Sequence, residues 1–202
     1  MKTQILLLVF IVCTLNVFSQ TYSVKEAKGL DVGTKAPLFE AVDHNENPIL
    51  LKDLINKGPV VLFFYRGVWC PYCNRHLYEV QSELPKLYEK GAQVIAVTPE
   101  KPEYINEMIE NTGATFTIVY DKDYKIAKAY GVNFQPKQSQ INYANNAKDA
   151  NLVDAHNNEE INLPIPATYI IDKNGKITWR HFDPNFRKRA SVDEIVKHLL
   201  VK

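Results

Sequence analysis

Cysteine is scarce in this chain. Three residues in 202 are too few for a disulfide framework, so any thiol pair needs its own explanation. An excess of one charge is also lacking. Lys and Arg number 24 against 23 Asp and Glu, and a net charge of +1 gives no general electrostatic reason to bind nucleic acid or an anionic membrane. The apolar run from Ile5 to Cys13 is too short to span a bilayer. No internal repeat and no Pro/Gly-rich linker divides the chain. What is present is ordinary: 46% apolar, 23% charged and 11% aromatic residues, which excludes a disordered tail protein, a collagen-like fibre and a disulfide-dense miniprotein.

The N-terminus has its own logic. Lys2 gives a short basic start, the apolar run follows, and Val17-Phe18-Ser19 sets modest or small residues at the −3 and −1 positions of a cleavage site. That pattern predicts a secretory signal peptide over residues 1–19, with a periplasmic or secreted product and no membrane anchor after cleavage. Bulky Val12 before Cys13 argues against a lipoprotein. Cleavage near Ser19 removes Cys13 and leaves Cys70 and Cys73, in a compartment where a thiol pair can be oxidised.

Residues 20–30 read as a loose lead and 31–202 as one α/β domain. Leu38 to Val42 alternates like a short strand before the turn chemistry of Asp43 to Asn47, and Pro59 to Tyr65 has the unbroken apolar run of a buried parallel strand. Leu77, Val80, Leu84, Leu87 and Tyr88 then recur at helical spacing, with Pro85 set to kink the helix and Gly91 to end it. Gln93 to Thr98 completes a right-handed βαβ unit. A helix is predicted from Pro102 to Asn111, a strand from Thr115 to Tyr120, and a helix from Tyr124 to Tyr130. The polar stretch 133–163, rich in Asn and Gln, reads as an insertion with at most one short helix. Lys173-Asn174-Gly175 marks a hairpin, and Ser191-x-x-Glu194 is a capping box opening a last helix with Ile195, Val196, Leu199 and Leu200 inward.

The chemistry sits at Trp69-Cys70-Pro71-Tyr72-Cys73, where a buried strand hands over to a helix. Helix N–H groups there favour a thiolate at Cys70, Pro71 suits the first helical turn, and Arg66 adds positive potential. Cys73, three residues on, can resolve a mixed disulfide. This placement predicts that Cys70 is the more exposed and more acidic thiol. Two other readings stand beside a redox pair. A structural disulfide closing so small a loop gains only roughly 2 kcal/mol. A metal site would recruit His76 as Cys-x-x-Cys-x-x-His, but the remaining histidines are scattered and zinc needs a fuller set; His76 reads as a solvated helix residue. No cofactor and no metal is expected.

Gly33-x-x-Ala36-Pro37-x-Phe39, Phe64-Tyr65-Arg66-Gly67, Tyr130-Gly131-Val132 and Ile170-Ile171-Asp172, together with the Cys stretch, resemble the peroxiredoxin-like branch of the AhpC/TSA (alkyl hydroperoxide reductase C / thiol-specific antioxidant) family. The resemblance covers roughly residues 31–202. It implies a thioredoxin-like fold, a central mixed β-sheet flanked by helices, and an antioxidant role.

The departures are informative. Peroxiredoxins carry Tyr-Pro-x-x-x-Thr-x-x-Cys; laid without gaps on this chain, the Pro falls on Arg66, the Thr on Cys70 and the peroxidatic Cys on Cys73. Their later Arg falls on Pro166, which instead resembles the cis-proline of thioredoxins and would present backbone to a substrate strand. The buried Asp that serves thioredoxins as a base aligns with Phe64. The expected function is therefore thiol–disulfide oxidoreduction at Cys70 and Cys73, supported by Arg66, Trp69 and Pro166. Its partners would be protein or small-molecule disulfides and thiols and an external thiol reductant. A thiol peroxidase acting on hydrogen or alkyl peroxides is the rival in the same class, and a metal-carrying or docking module the rival from another.

Overall fold

A computed structural model describes residues 23–199. The signal-peptide prediction for 1–19 and Leu200 lie outside the described residues. After an irregular lead come strands β1 (Glu40–Asp43) and β2 (Pro48–Leu50), helix α1 (Leu51–Lys57), β3 (Val60–Phe64), α2 (Pro71–Ser82), α3 (Leu84–Glu89) and β4 (Gln93–Thr98). Next are α4 (Pro102–Thr112), β5 (Thr117–Tyr120), a 3₁₀ turn at Lys122–Tyr124, α5 (Lys125–Ala129), β6 (Asn133–Phe134), α6 (Gln138–Lys148) and α7 (Leu152–His156). The chain closes with β7 (Leu163–Pro164), β8 (Thr168–Ile171), β9 (Ile177–His181) and α8 (Val192–His198).

Seven strands form a mixed sheet in the order β2-β1-β5-β4-β3-β8-β9. β3, β4 and β5 run parallel at its centre, and the flanking pairs are antiparallel. This is the mixed sheet flanked by helices that the family resemblance implied. The apolar run of β3 is explained by burial on both faces. Val61, Phe63 and Tyr65 pack with α2, α4 and α8, while Val60, Leu62 and Phe64 pack with α1, α5 and the Tyr130–Tyr169 pair.

Local chemistry sets the element ends. The kink expected at Pro85 is a break: α2 stops before Glu83 and Pro85 sits in the first turn of α3, where its missing N–H costs nothing. Ser191 Oγ accepts the Glu194 N–H at 3.2 Å, opening α8 as the capping residue predicted. Helix α1 escaped the sequence reading because only Leu51 and Ile55 face inward, too short a stripe to show a period.

The stretch 133–163 corrects the expectation of little regular structure. β6 and β7 pair at its base, Asn133 to Pro164 and Phe134 to Leu163, and two helices rise between them. Only Ala144, Ala150, Leu152 and Ile161 make their core, and that small cluster packs on Trp69. So few apolar residues leave no legible stripe, yet they dock this segment beside the cysteines.

Candidate active site

β3 ends at Phe64, and the chain turns through Tyr65, Arg66, Gly67, Val68 and Trp69 before α2 starts at Pro71. Asn74 Nδ2 pins this turn by donating to Val68 O at 2.6 Å and Cys70 O at 3.1 Å. Gly67 has no alternative: a Cβ there would run into Glu100 Oε1 and Trp69 Nε1. Cys70 is the N-cap of α2 and Cys73 lies one turn in, so one helix end holds both sulfurs together.

Both cysteines are reduced, and both have 0% of their surface exposed. That corrects the expectation of an exposed Cys70. The helix end does not act as expected either, since the Cys70 side chain makes no capping hydrogen bond to it. Two guanidinium groups supply the positive charge instead. Arg66 Nη2 donates to Cys70 Sγ at 3.0 Å, and Arg189 Nη2 lies 3.8 Å from Cys73 Sγ. Arg66 is itself 8% exposed and stacks on Phe186 (3.9 Å) and Trp69 (5.0 Å). Phe186 also meets Tyr72 edge-on, so the loop before α8 covers the pair.

The two thiols share one charge. Cys70 is held above the ordinary thiol range, first because it donates a hydrogen bond to Cys73 and then by burial. Burial opposes charge on Cys73 too, but the Cys70 thiol, Arg66 and Arg189 outweigh it and hold Cys73 well below the ordinary range. These directions run opposite to the acidity order expected from helix position alone.

His76 also differs from expectation. It is 3% exposed rather than solvated, its Nε2 meets Ala190 O at 3.3 Å, and its ring packs edge-on to Phe63. Burial and the Arg189 charge push it down to about 3. Trp69 lies against the core clusters on both faces of the sheet and against the α6–α7 cluster.

Pro166 sits beside the site without the geometry expected of it. The described residues contain no cis peptide bond. Ala167 N donates to Ile165 O at 2.7 Å, which makes Pro166 the centre of a three-residue turn leading into β8. Ile165 N is taken by Val132 O at 2.8 Å, so neither flanking N–H is free to pair with a substrate strand. Phe64 N donates to Ala167 O at 2.9 Å, setting this turn level with the end of β3.

Sequence reasoning missed Arg189, Phe186 and Glu100. Arg189 and Phe186 lie in a loop without periodicity and reach the site only through the fold. Glu100 stood in a legible place, just past the carboxyl end of a parallel strand, where ligand and catalytic groups of open α/β sheets collect.

The family model for AhpC/TSA matches residues 32–180. The chain belongs to the AhpC/TSA family. Among relatives, the thiol-disulfide oxidoreductase ResA of Geobacillus thermodenitrificans is 29% identical over 179 residues, covering 88% of this chain and 83% of that protein. ResA of Bacillus subtilis is 27% identical over 142 residues, covering 70% and 77%. Among solved structures, the peroxidoxin BcpB of Mycobacterium tuberculosis superposes with a TM-score of 0.67 at 19% identity, over 84% of this chain and 96% of that one. A Chlorobium tepidum structure described as a thiol:disulfide interchange protein DsbE gives 0.57 at 24%, over 84% and 99%. These likenesses establish the fold of this AhpC/TSA protein.

Proposed function

We propose that this AhpC/TSA protein is a thiol–disulfide oxidoreductase, exported from the cytoplasm, that cycles Cys70 and Cys73 between dithiol and disulfide. The carrying observation is the pair itself: two reduced, fully buried cysteines one turn apart at the head of α2, with a guanidinium 3.0 Å from one sulfur. The ResA relatives support the same reading.

In the resting dithiol the negative charge rests on Cys73. Passing the Cys70 proton to Cys73 along their hydrogen bond frees Cys70 to attack a client disulfide. The client's first sulfur leaves as a thiolate and takes up a proton. Cys73, again as thiolate, then attacks Cys70 Sγ, expels the second client thiolate and closes the Cys70–Cys73 disulfide. An external dithiol resets the pair. Arg66 steadies the thiolate at Cys70 and Trp69 walls the site.

Peroxide reduction is a second reading, favoured by Arg189. A peroxidatic cysteine needs donors for the charge moving onto the leaving oxygen, each worth about 10²–10³ in rate, and Arg66 and Arg189 stand beside the sulfurs where the family's Thr and Arg are missing. In that reading the Cys73 thiolate attacks the peroxide and Cys70 resolves the sulfenic acid, releasing water.

The deciding experiment compares insulin-disulfide reduction with stopped-flow oxidation by hydrogen peroxide in wild type, Cys70→Ser and Cys73→Ser. Disulfide reduction lost in both variants, with slow peroxide reaction, supports the reductase. Fast peroxide reaction that survives Cys70→Ser and vanishes in Cys73→Ser overturns it in favour of the peroxidase. Export predicts a native product that starts at or near Gln20 by intact mass.

A further inference from the structure

Glu100 is a carboxylic acid with 0% exposure in the loop between β4 and α4. Its Oε2 accepts the Val68 N–H at 2.8 Å, two residues from Cys70, while Oε1 has no hydrogen-bond partner. The indole Nε1 of Trp69 is also buried without a partner, and both atoms crowd the point where a side chain on Gly67 would begin. The groups that act on Glu100 oppose its charge. Cys73 does so from α2 and Glu107 from α4, and Glu100 acts in turn on buried Tyr65 and on Tyr104. The cations of the site point elsewhere. Arg66 reaches Cys70, Arg189 reaches Cys73, and Lys101 is drawn 3.0 Å from Asp154.

This leaves a buried acid, without a countercharge, that senses whether Cys73 is a thiolate. Burial first, and then the Cys73 and Glu107 charges, hold its proton well above the ordinary carboxylate range; the Val68 N–H alone works the other way. Oxidation to the disulfide removes the Cys73 charge, and with it one of the reasons for Glu100 to stay protonated.

We propose that Glu100 is the redox-linked proton carrier of the Cys70–Cys73 pair, taking up a proton when the disulfide is reduced and giving it back when the disulfide forms. The inference rests on the redox pair proposed above and holds for either substrate. The step balances. A dithiol reductant brings two electrons and two protons. The Cys70–Cys73 bond breaks, one proton stays on Cys70, Cys73 remains a thiolate, and the second proton goes to the Glu100 carboxylate. In the reverse direction the leaving client thiolate receives that proton.

The test is redox equilibration of the purified full chain against dithiothreitol over a pH series, for wild type and Glu100→Gln. Gln keeps an oxygen for the Val68 N–H. Wild type should show a pH window with two protons taken up per two electrons, where Glu100→Gln takes up one. An infrared difference spectrum between the two redox states should show a protonated-carboxyl C=O band on reduction that is missing in Glu100→Gln. Equal proton counts in both proteins, or no such band in wild type, overturns the inference. If wild type forms no Cys70–Cys73 disulfide at all, the redox reading falls and this inference with it; a disulfide with equal proton counts sinks the inference alone.

Discussion

The loops that follow β4 and β5 each bury an acid, and they use it in opposite ways. Asp121, after β5, has both oxygens occupied: Oδ1 accepts the Ile126 N–H at 2.7 Å and Oδ2 the Ala127 N–H at 2.8 Å, the free donors at the head of α5. Burial raises it only to about 6, because those two bonds and Lys128 pull against desolvation. Glu100, after β4, has one N–H, one oxygen without a partner and two negative neighbours, and it is held well above the ordinary carboxylate range. Burial alone does not decide whether an acid is ionised near neutral pH. The number of donors aimed at its charged form does, and that number separates a structural acid from a proton carrier.

The largest effect tests that contrast directly. Asp121→Ala leaves two N–H groups without acceptors at the start of α5 and should cost about 2–6 kcal/mol of stability, since each buried orphan donor costs about 1–3 kcal/mol. Disulfide exchange by the surviving folded fraction should be unchanged. Glu100→Gln should behave in reverse, with stability equal to or above wild type, because burying a raised acid costs free energy near neutral pH, and with altered redox titration. Urea unfolding of both variants checks the pair. A destabilised Glu100→Gln with normal redox behaviour would make the two acids alike.

A somewhat smaller effect appears in the pH dependence of stability. Two buried histidines, His76 beside the cysteines and His156 in α7, are pushed down to about 3, in both cases first by burial. A depressed His stabilises the fold fully above its unfolded value near 6.5 and loses that contribution as pH falls, so by pH 5 each gives up about 2 kcal/mol. Asp121 has the opposite sign. Its raised folded pKa contributes stability below its unfolded value, lost as pH rises through about 6, so acidification to pH 5 returns only about 1 kcal/mol. Glu100, also raised, has the sign of Asp121, and the depressed Cys73 thiol has the sign of the histidines, so those two oppose each other. The two histidines against Asp121 then leave the reduced protein losing stability from pH 6.5 to 5. His156→Gln, which keeps a polar atom for the Tyr124 hydroxyl, should flatten that slope by about two-thirds. Denaturant unfolding at fixed pH values checks it, and a slope unchanged in His156→Gln would place the acid sensitivity elsewhere.

The contrast also shows what a sequence can reveal. β3, β4 and the break at Pro85 were legible because burial on both faces and a missing N–H leave marks in local composition. Cys70, Cys73 and Arg66 were legible because they sit within eight residues of one strand-to-helix junction. Arg189 was not, being 116 positions from the sulfur it approaches. The burial of Cys70 was hidden for the same reason, since helix position is local while the cover from Phe186 and the second guanidinium come from the far end of the chain. The helices in 133–163 were hidden by composition, because a four-residue core of small and branched side chains docking on one tryptophan shows no period.

The smallest effect separates the two arginines and bears on why Cys73 is charged while Glu100 is not. Arg66 is buried and touches sulfur at 3.0 Å, whereas Arg189 is half-buried at 3.8 Å from Cys73 and also donates to the Phe186 and Lys188 carbonyls. A buried cation in contact with an acid shifts it by about 1–3 pH units, and a longer, better-solvated contact by less. Arg66→Ala should therefore raise the apparent thiolate pKa by about one unit or more, and Arg189→Ala by a few tenths of a unit, each read from thiolate ultraviolet absorbance of the reduced protein against pH. Arg189→Ala carries a second signature. With less thiolate at Cys73, Glu100 loses part of the charge that opposes its ionisation, so the window of two-proton uptake should narrow. A raised thiolate pKa with an unchanged window would mean that Glu100 does not sense Cys73, and that the difference between the two buried acids lies in hydrogen-bond count alone.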